Sequence, residues 1–105
     1  MTPLFSVVTP VYEPPLDVLQ DTIQSVLSQT FTDWELILVD DRSPSDDARG
    51  VLRSAAATDQ RIRAIERAVN GGIAAASNDA LAASTGAFIA LLDHDDLLTP
   101  RALEV

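Results

Sequence analysis

Three apolar runs in this chain end abruptly in proline or aspartate, and segments of helical period fill the gaps between them. Residues 4–9 (LFSVVT) stop at Pro10. Residues 34–39 (WELILV) stop at Asp40 and Asp41. Residues 87–92 (AFIALL) run straight into Asp93, His94, Asp95 and Asp96. Apolar runs this short, bounded by breakers, read as buried strands. Residues 61–66 alternate polar and apolar side chains, with Ile62, Ala64 and Ile65 nearly in register, and read as a more exposed strand.

Helical patterns connect these runs. Pro14 and Pro15 suit a helix start, and Leu16, Leu19, Ile23, Val26 and Leu27 give one apolar face over residues 16–29. Ser45 or Asp46 caps a second helix carrying Val51, Leu52 and Ala55. Asn70, Gly71 and Gly72 make a sharp turn into an alanine-rich helix over residues 73–84, with Gly86 where a C-terminal cap belongs. The run 87–92 is apolar throughout, which predicts a central strand. Thr99 and Pro100 open a further helix that Val105 cuts short. The order β-α-β-α-β-α-β, with gaps of crossover length, predicts an α/β doubly wound, mainly parallel sheet with right-handed crossovers. Ligands of such sheets bind beyond the carboxyl ends of the strands, near the switch point. The aspartates of two strands converge there.

Composition narrows the chemistry. At 105 residues the chain makes one domain, and 47% hydrophobic residues argue against disorder. The net charge of −9 disfavours nucleic acid and anionic membrane surfaces as partners. All 7 basic residues are arginine, which excludes a P-loop lysine and a lysine base. Cysteine is absent, which excludes disulfides, thiolate nucleophiles and zinc–sulfur sites. The first ten residues do not read as a signal peptide, and no run approaches the ~20 apolar residues of a membrane span. The default compartment is the cytoplasm, with the inner face of the membrane as the alternative for a full-length protein.

Asp93, Asp95 and Asp96 are close enough to repel one another unless something positive sits between them. A divalent cation with oxygen ligands, Mg²⁺ or Mn²⁺, fits, and it would share its ligands with a substrate phosphate. One aspartate would suffice as a helix cap. His94 alternates with the aspartates and reads as a supporting residue. Asp40 and Asp41 can cap a turn or accept from a nucleobase or ribose. The Asn70–Gly72 turn is either a plain turn or a close approach to a ligand at a helix N-terminus. Tyr12 stands on a loop where it can pack on a base, and Trp34 reads as core.

Together these pieces resemble the family 2 glycosyltransferases of the GT-A fold. The resemblance is carried by residues 6–12 (SVVTPVY), 22–30 (TIQSVLSQT), 34–41 (WELILVDD) with Ser43, 70–73 (NGGI), Thr85 with Gly86, and 92–97 (LDHDDL) with Pro100. Residues 12–15 (YEPP), 76–78 (ASN) and 92–96 (LDHDD) look like the subgroup of O-antigen and surface polysaccharide synthesis. The resemblance implies a nucleotide-diphospho-sugar donor (UDP-, dTDP- or GDP-linked), Mg²⁺ or Mn²⁺, and transfer with inversion to a saccharide or lipid-linked acceptor. It makes Asp93 and Asp95 the ends of a DxD motif, with Asp95 the metal ligand, Asp93 the ribose contact and Asp96 a further acidic ligand. Asp40 would face the base, and Asp41 would belong to the same substrate site. Thr9, Pro10, Val11, Tyr12 and Glu13 would form that side of the pocket. Gly72, Ser77 and Asn78 would lie near the diphosphate or sugar, and His94 beside it.

Three departures stand out: Glu13 where many members have asparagine, Arg42 where many have glycine, and Ser77 where many have arginine. Members of the family also continue well past the DxD loop. The chain therefore reads as an N-terminal donor-binding part, residues 1–105, truncated at its C-terminal end, with the catalytic base expected downstream of Val105. That predicts donor binding without transfer, and a homo-oligomer formed through the apolar surface left uncovered. The alternatives are a nucleotidyltransferase, a receiver domain and an inert binding module. The first needs a glycine- and basic-rich loop after the first strand and the second a lysine, and neither is present.

Overall fold

The structure, a computed structural model, describes residues 3–104. Four strands alternate with three helices: β1 (Phe5–Val11), α1 (Leu16–Leu27), β2 (Trp34–Asp40), α2 (Asp46–Thr58), β3 (Ile62–Glu66), α3 (Ile73–Ala83) and β4 (Phe88–Leu91). The sheet order is β3-β2-β1-β4, with all pairs parallel. The chain winds outward from β1 through β2 to β3, then crosses to the other side of β1 to lay down β4. The expected α/β doubly wound sheet is what forms.

The period-2 alternation of the strands sorts the core onto two faces. Val7, Val11, Leu36 and Leu38 pack with Leu19, Ile23 and Val26 of α1 and with Leu52 of α2. Val8, Ile37 and Val39 pack on the other face against Ala76 and Ala80 of α3. Every residue of β2 is buried, which makes it the spine of the domain. Trp34 at its start is core, with the Arg61 guanidinium 3.8 Å above its ring.

Four expectations need correction. β1 does not stop at Pro10 but runs on to Val11. The carbonyl of Val8 accepts from Leu92 N, so Val8, and Pro10 two residues on, direct their backbone toward β4. β4 pairs only as far as Val8, so the N–H that Pro10 lacks has no ladder to miss. Among the described residues β4 stands at the edge of the sheet and not at its centre: it pairs with β1 alone, and Phe88, Ile89 and Leu91 are exposed. Gly86 is not a helix cap. α3 ends at Ala83 and is capped by Ser84, whose N–H and hydroxyl both donate to the Leu81 carbonyl. Gly86 instead lies against β1, where a Cβ would come within 2.6 Å of Ser6 N, and its own N–H donates to Ser6 Oγ at 2.7 Å. Thr99 and Pro100 open only hydrogen-bonded turns, closed by Ala102 N to Thr99 O and Glu104 N to Arg101 O.

At the amino-terminal end of the sheet lies a buried polar knot. The Glu35 carboxylate accepts from Ser6 Oγ (2.5 Å), Thr85 N (2.6 Å) and Thr85 Oγ1 (3.0 Å), with Arg63 at 3.6 Å. Burial pushes its pKa up, but these donors and Arg63 outweigh burial and hold it below its ordinary value. The knot ties the end of α3 to β1 and β2, far from the acidic loop. No helix of the described residues is long and apolar enough to cross a membrane.

Candidate functional site

A cleft of about 550 Å³ opens at the carboxyl ends of the strands, where the winding direction reverses between β2 and β4. Pro10, Val11 and Tyr12 at the end of β1 form one wall. Asp41, Asn70, Gly72, Ile73 and Ala76 form the second, and Asp93, His94 and Asp95 the third. Three carboxylates line this cleft and no cationic side chain does.

The acidic loop is held from several sides. Leu92 N donates to Val8 O (3.0 Å), fixing its start to β1, and Asp96 N closes a turn on Asp93 O (3.1 Å). That turn brings carboxylate oxygens of Asp93, Asp95 and Asp96 within 4.8 Å of one another, all three residues exposed. α1 supplies the rest of the frame. Thr22 and Ser25 share one face of α1, and Gln29 follows just beyond its end. Thr22 Oγ1 donates to His94 O (2.9 Å), Ser25 Oγ accepts from Leu98 N (3.1 Å), and Gln29 donates to Thr99 O (2.6 Å) and accepts from Leu103 N (3.1 Å). The 22–30 segment contributes to the family resemblance, but the sequence pattern alone assigns these polar residues no role. Their signal is polar side chains on the inward face of a helix. His94 lines the cleft, and its Nδ1 accepts from Tyr12 N at 3.3 Å, which joins the acidic loop to the end of β1. Tyr12 lines the cleft and is 43% exposed.

The two aspartates after β2 part company. Asp40 shares the parity of Leu36 and Leu38, so its carboxylate faces α2 rather than the cleft. It is fully buried, accepting from Ser43 Oγ (2.6 Å), Ser43 N (3.2 Å) and Arg49 Nη1 (3.1 Å). The base contact expected of Asp40 is therefore corrected: it fastens the 41–45 turn to α2. Asp41 has the opposite parity and lines the cleft. Its carboxylate accepts from Gly71 N (2.9 Å) and Gly72 N (2.8 Å), and its carbonyl from Asn70 Nδ2 (3.1 Å). The N–H groups of Gly71 and Gly72, which lead into α3, are thus occupied by an internal carboxylate. Gly72 lines the cleft with φ +90°, a backbone suited to glycine.

Other expected site residues lie elsewhere. Thr9 is buried, and its Oγ1 has no hydrogen-bond partner among the described residues. Ser77 is half-buried and Asn78 exposed on α3, and neither lines the cleft; Ile73 and Ala76, earlier on the helix, do. Glu13 also stands outside it, donating its N–H to Ser43 Oγ (2.9 Å) and accepting from Ser45 N (3.2 Å). Glu13 (φ +44°) and Arg42 (φ +61°) are the two non-glycine residues with left-handed backbone among those described. Asparagine and glycine favour that region, so two of the three departures concern backbone conformation rather than ligand contact.

Residues 6–105 match the sequence profile of Glycosyl transferase family 2. The chain belongs to this family. Among its relatives, an uncharacterized protein of Sinorhizobium fredii, y4gI, is 50% identical over 101 residues, 96% of this chain and 11% of that protein. O-antigen biosynthesis protein RfbC of Myxococcus xanthus is 41% identical over 101 residues, 96% of this chain and 8% of that protein. The chain thus spans about a tenth of the length of these curated relatives. Among solved structures, S. aureus TarS in complex with UDP superposes with a TM-score of 0.83 at 26% identity, over 99% of this chain and 30% of that one. The mannosyltransferase PcManGT from Pyrobaculum calidifontis, in complex with GDP-Man and Mn²⁺, gives 0.80 at 25% identity, over 92% and 29%. The family 2 fold expected from the sequence, of GT-A type, is therefore present. Within this family 2 chain, the acidic loop, Asp41 and Tyr12 meet at one cleft, while Asp40, Thr9, Glu13, Ser77 and Asn78 support or flank it.

Proposed function

We propose that this region binds the nucleotide-diphospho-sugar donor of a glycosyltransferase that acts with inversion in surface polysaccharide synthesis. The observation that carries the reading is a cleft at the switch point lined by three carboxylates and no cation. An anionic diphosphate enters such a cleft only with a metal ion. Asp93, Asp95 and Asp96 offer hard oxygen donors within 4.8 Å of one another, and their exposure leaves room for phosphate oxygens, so the donor set fits Mg²⁺ or Mn²⁺. When bound there, the ion would neutralise charge on the diphosphate leaving group. The chain's own residues orient the donor: Tyr12 offers a ring face to the base, Asp41 a hydrogen-bond acceptor on the opposite wall, and His94 joins the nucleotide side to the metal side. The UDP and GDP-Man complexes of the structural relatives support a nucleotide sugar as the ligand. We place the acceptor site and the base that deprotonates the acceptor hydroxyl outside residues 1–105, so this chain alone binds donor without transferring its sugar.

Calorimetric titration of UDP, dTDP and GDP, each with and without Mn²⁺, tests the reading. It expects binding of at least one nucleotide that needs the metal. Failure of all three to bind with Mn²⁺ present, or binding indifferent to it, would overturn it.

A further inference from the structure

Behind the Asp41 wall lies an arginine that does not line the cleft. Arg67 follows β3 directly, and its N–H donates to Asp40 O at 2.9 Å, which pins its backbone to the end of β2. Its guanidinium reaches two carboxylates. Nε lies 3.0 Å from Asp41 Oδ1, a charge contact not aligned as a hydrogen bond. Nη1 pairs with Asp79 on α3. The same guanidinium packs under the glycine turn: a Cβ on Gly71 would come within 2.7 Å of Arg67 Nη2 and 2.9 Å of Ala75 Cβ. The Asp41 side chain is 4% exposed, Arg67 18% and Asp79 43%, so the pair nearest the cleft is the better shielded from water.

From this geometry we propose that Arg67, anchored by Asp79, is the positioning residue of Asp41 and sets nucleotide affinity without touching the ligand. The inference rests on the donor-binding reading above. A buried carboxylate that holds two backbone N–H groups needs a cation to offset its charge. Arg67 supplies it from behind, keeping Asp41 fixed as an acceptor facing the cleft and lowering the negative potential that an incoming nucleotide diphosphate meets. Only a planar fork reaches Asp41 through Nε and Asp79 through Nη1 together; lysine, a single point charge, cannot do both. Asp79 acts through Arg67, since it contacts neither the cleft nor Asp41.

The test compares wild type, Arg67→Lys, Asp79→Asn and the double variant. It measures UDP, dTDP and GDP affinity in Mn²⁺, and separately Mn²⁺ affinity without nucleotide. Arg67→Lys is expected to weaken the nucleotide that wild type binds by about tenfold, the scale of one charge-assisted contact, and to leave Mn²⁺ affinity within about twofold. Asp79→Asn weakens it in the same direction, and the double variant is no worse than Arg67→Lys alone. A purely structural arginine would lower Mn²⁺ and nucleotide binding together, and that result overturns the proposal. So does unchanged nucleotide affinity in folded Arg67→Lys. If Arg67→Lys does not fold, Asp79→Asn decides, because its side chain is partly exposed and its affinity must still fall. Wild type that binds no nucleotide overturns the donor-binding reading itself, whereas wild type that binds with indifferent variants overturns only this inference.

Discussion

Replacing Arg49 with methionine keeps the length of the side chain but strips the charge from beside a fully buried carboxylate. Arg49 donates to Asp40 Oδ2 at 3.1 Å and to the Ser43 carbonyl at 2.6 Å, and its side chain is 7% exposed. Breaking a buried pair from one side costs about 3–5 kcal/mol, because the remaining charge is stranded. Ser43 still donates twice to Asp40, so the lower end, about 3 kcal/mol, applies to Arg49→Met. For a domain stable by about 5–15 kcal/mol that is a large share, and the urea midpoint should fall by about 1–3 M. Asp40→Asn combined with Arg49→Met strands no charge, so the double variant should recover at least about 1 kcal/mol relative to additivity. The same pair separates two roles. Asp40→Asn, studied where it remains folded, should keep nucleotide affinity because the carboxylate faces α2; Asp41→Asn should lose it. An Arg49→Met cost under about 1 kcal/mol would refute the buried-pair argument. Loss of nucleotide binding in folded Asp40→Asn would refute the placement of Asp40 behind the cleft.

Three further outcomes follow from the framework. Gly86→Ala should destabilise by about 2–4 kcal/mol in urea unfolding, since its Cβ meets β1 backbone and endangers the Gly86 N to Ser6 Oγ bond. Glu35 has a folded pKa below its unfolded value of 4.5, so the native state binds fewer protons; its stabilisation is full above that value and lost as pH falls through the folded pKa. Glu35→Gln should therefore flatten the stability–pH curve below 4.5, as followed by circular dichroism. The exposed β4 residues Phe88, Ile89 and Leu91 should drive self-association with rising concentration, and Leu91→Lys should reduce it in sedimentation velocity.

Much of the architecture was legible because it follows from periodicity. The buried runs of β1 and β2 and the amphipathic face of α1 each carry a pattern that one arrangement satisfies. The position of β4 was not legible: an apolar run demands cover, but its composition does not say what provides it. Gly86 misled because a glycine after a helix suits a cap and a close strand approach equally well, and only the distance to Ser6 separates them. At the site, the carboxylates of Asp93, Asp95 and Asp96 were readable from their spacing alone. Asp40 was misassigned, although its parity with Leu36 and Leu38 already directed it toward α2. Arg67 was invisible, because its importance comes from Asp41 and Asp79, which are adjacent to it in space and not in sequence.

The most direct test of the central claim is titration of UDP, dTDP and GDP into wild type and Asp95→Asn, with and without Mn²⁺. The account predicts that wild type binds at least one of them only with Mn²⁺, and that Asp95→Asn stays folded but loses the metal-dependent gain. Equal affinity with and without Mn²⁺, or an Asp95→Asn variant that keeps the full gain, would contradict it.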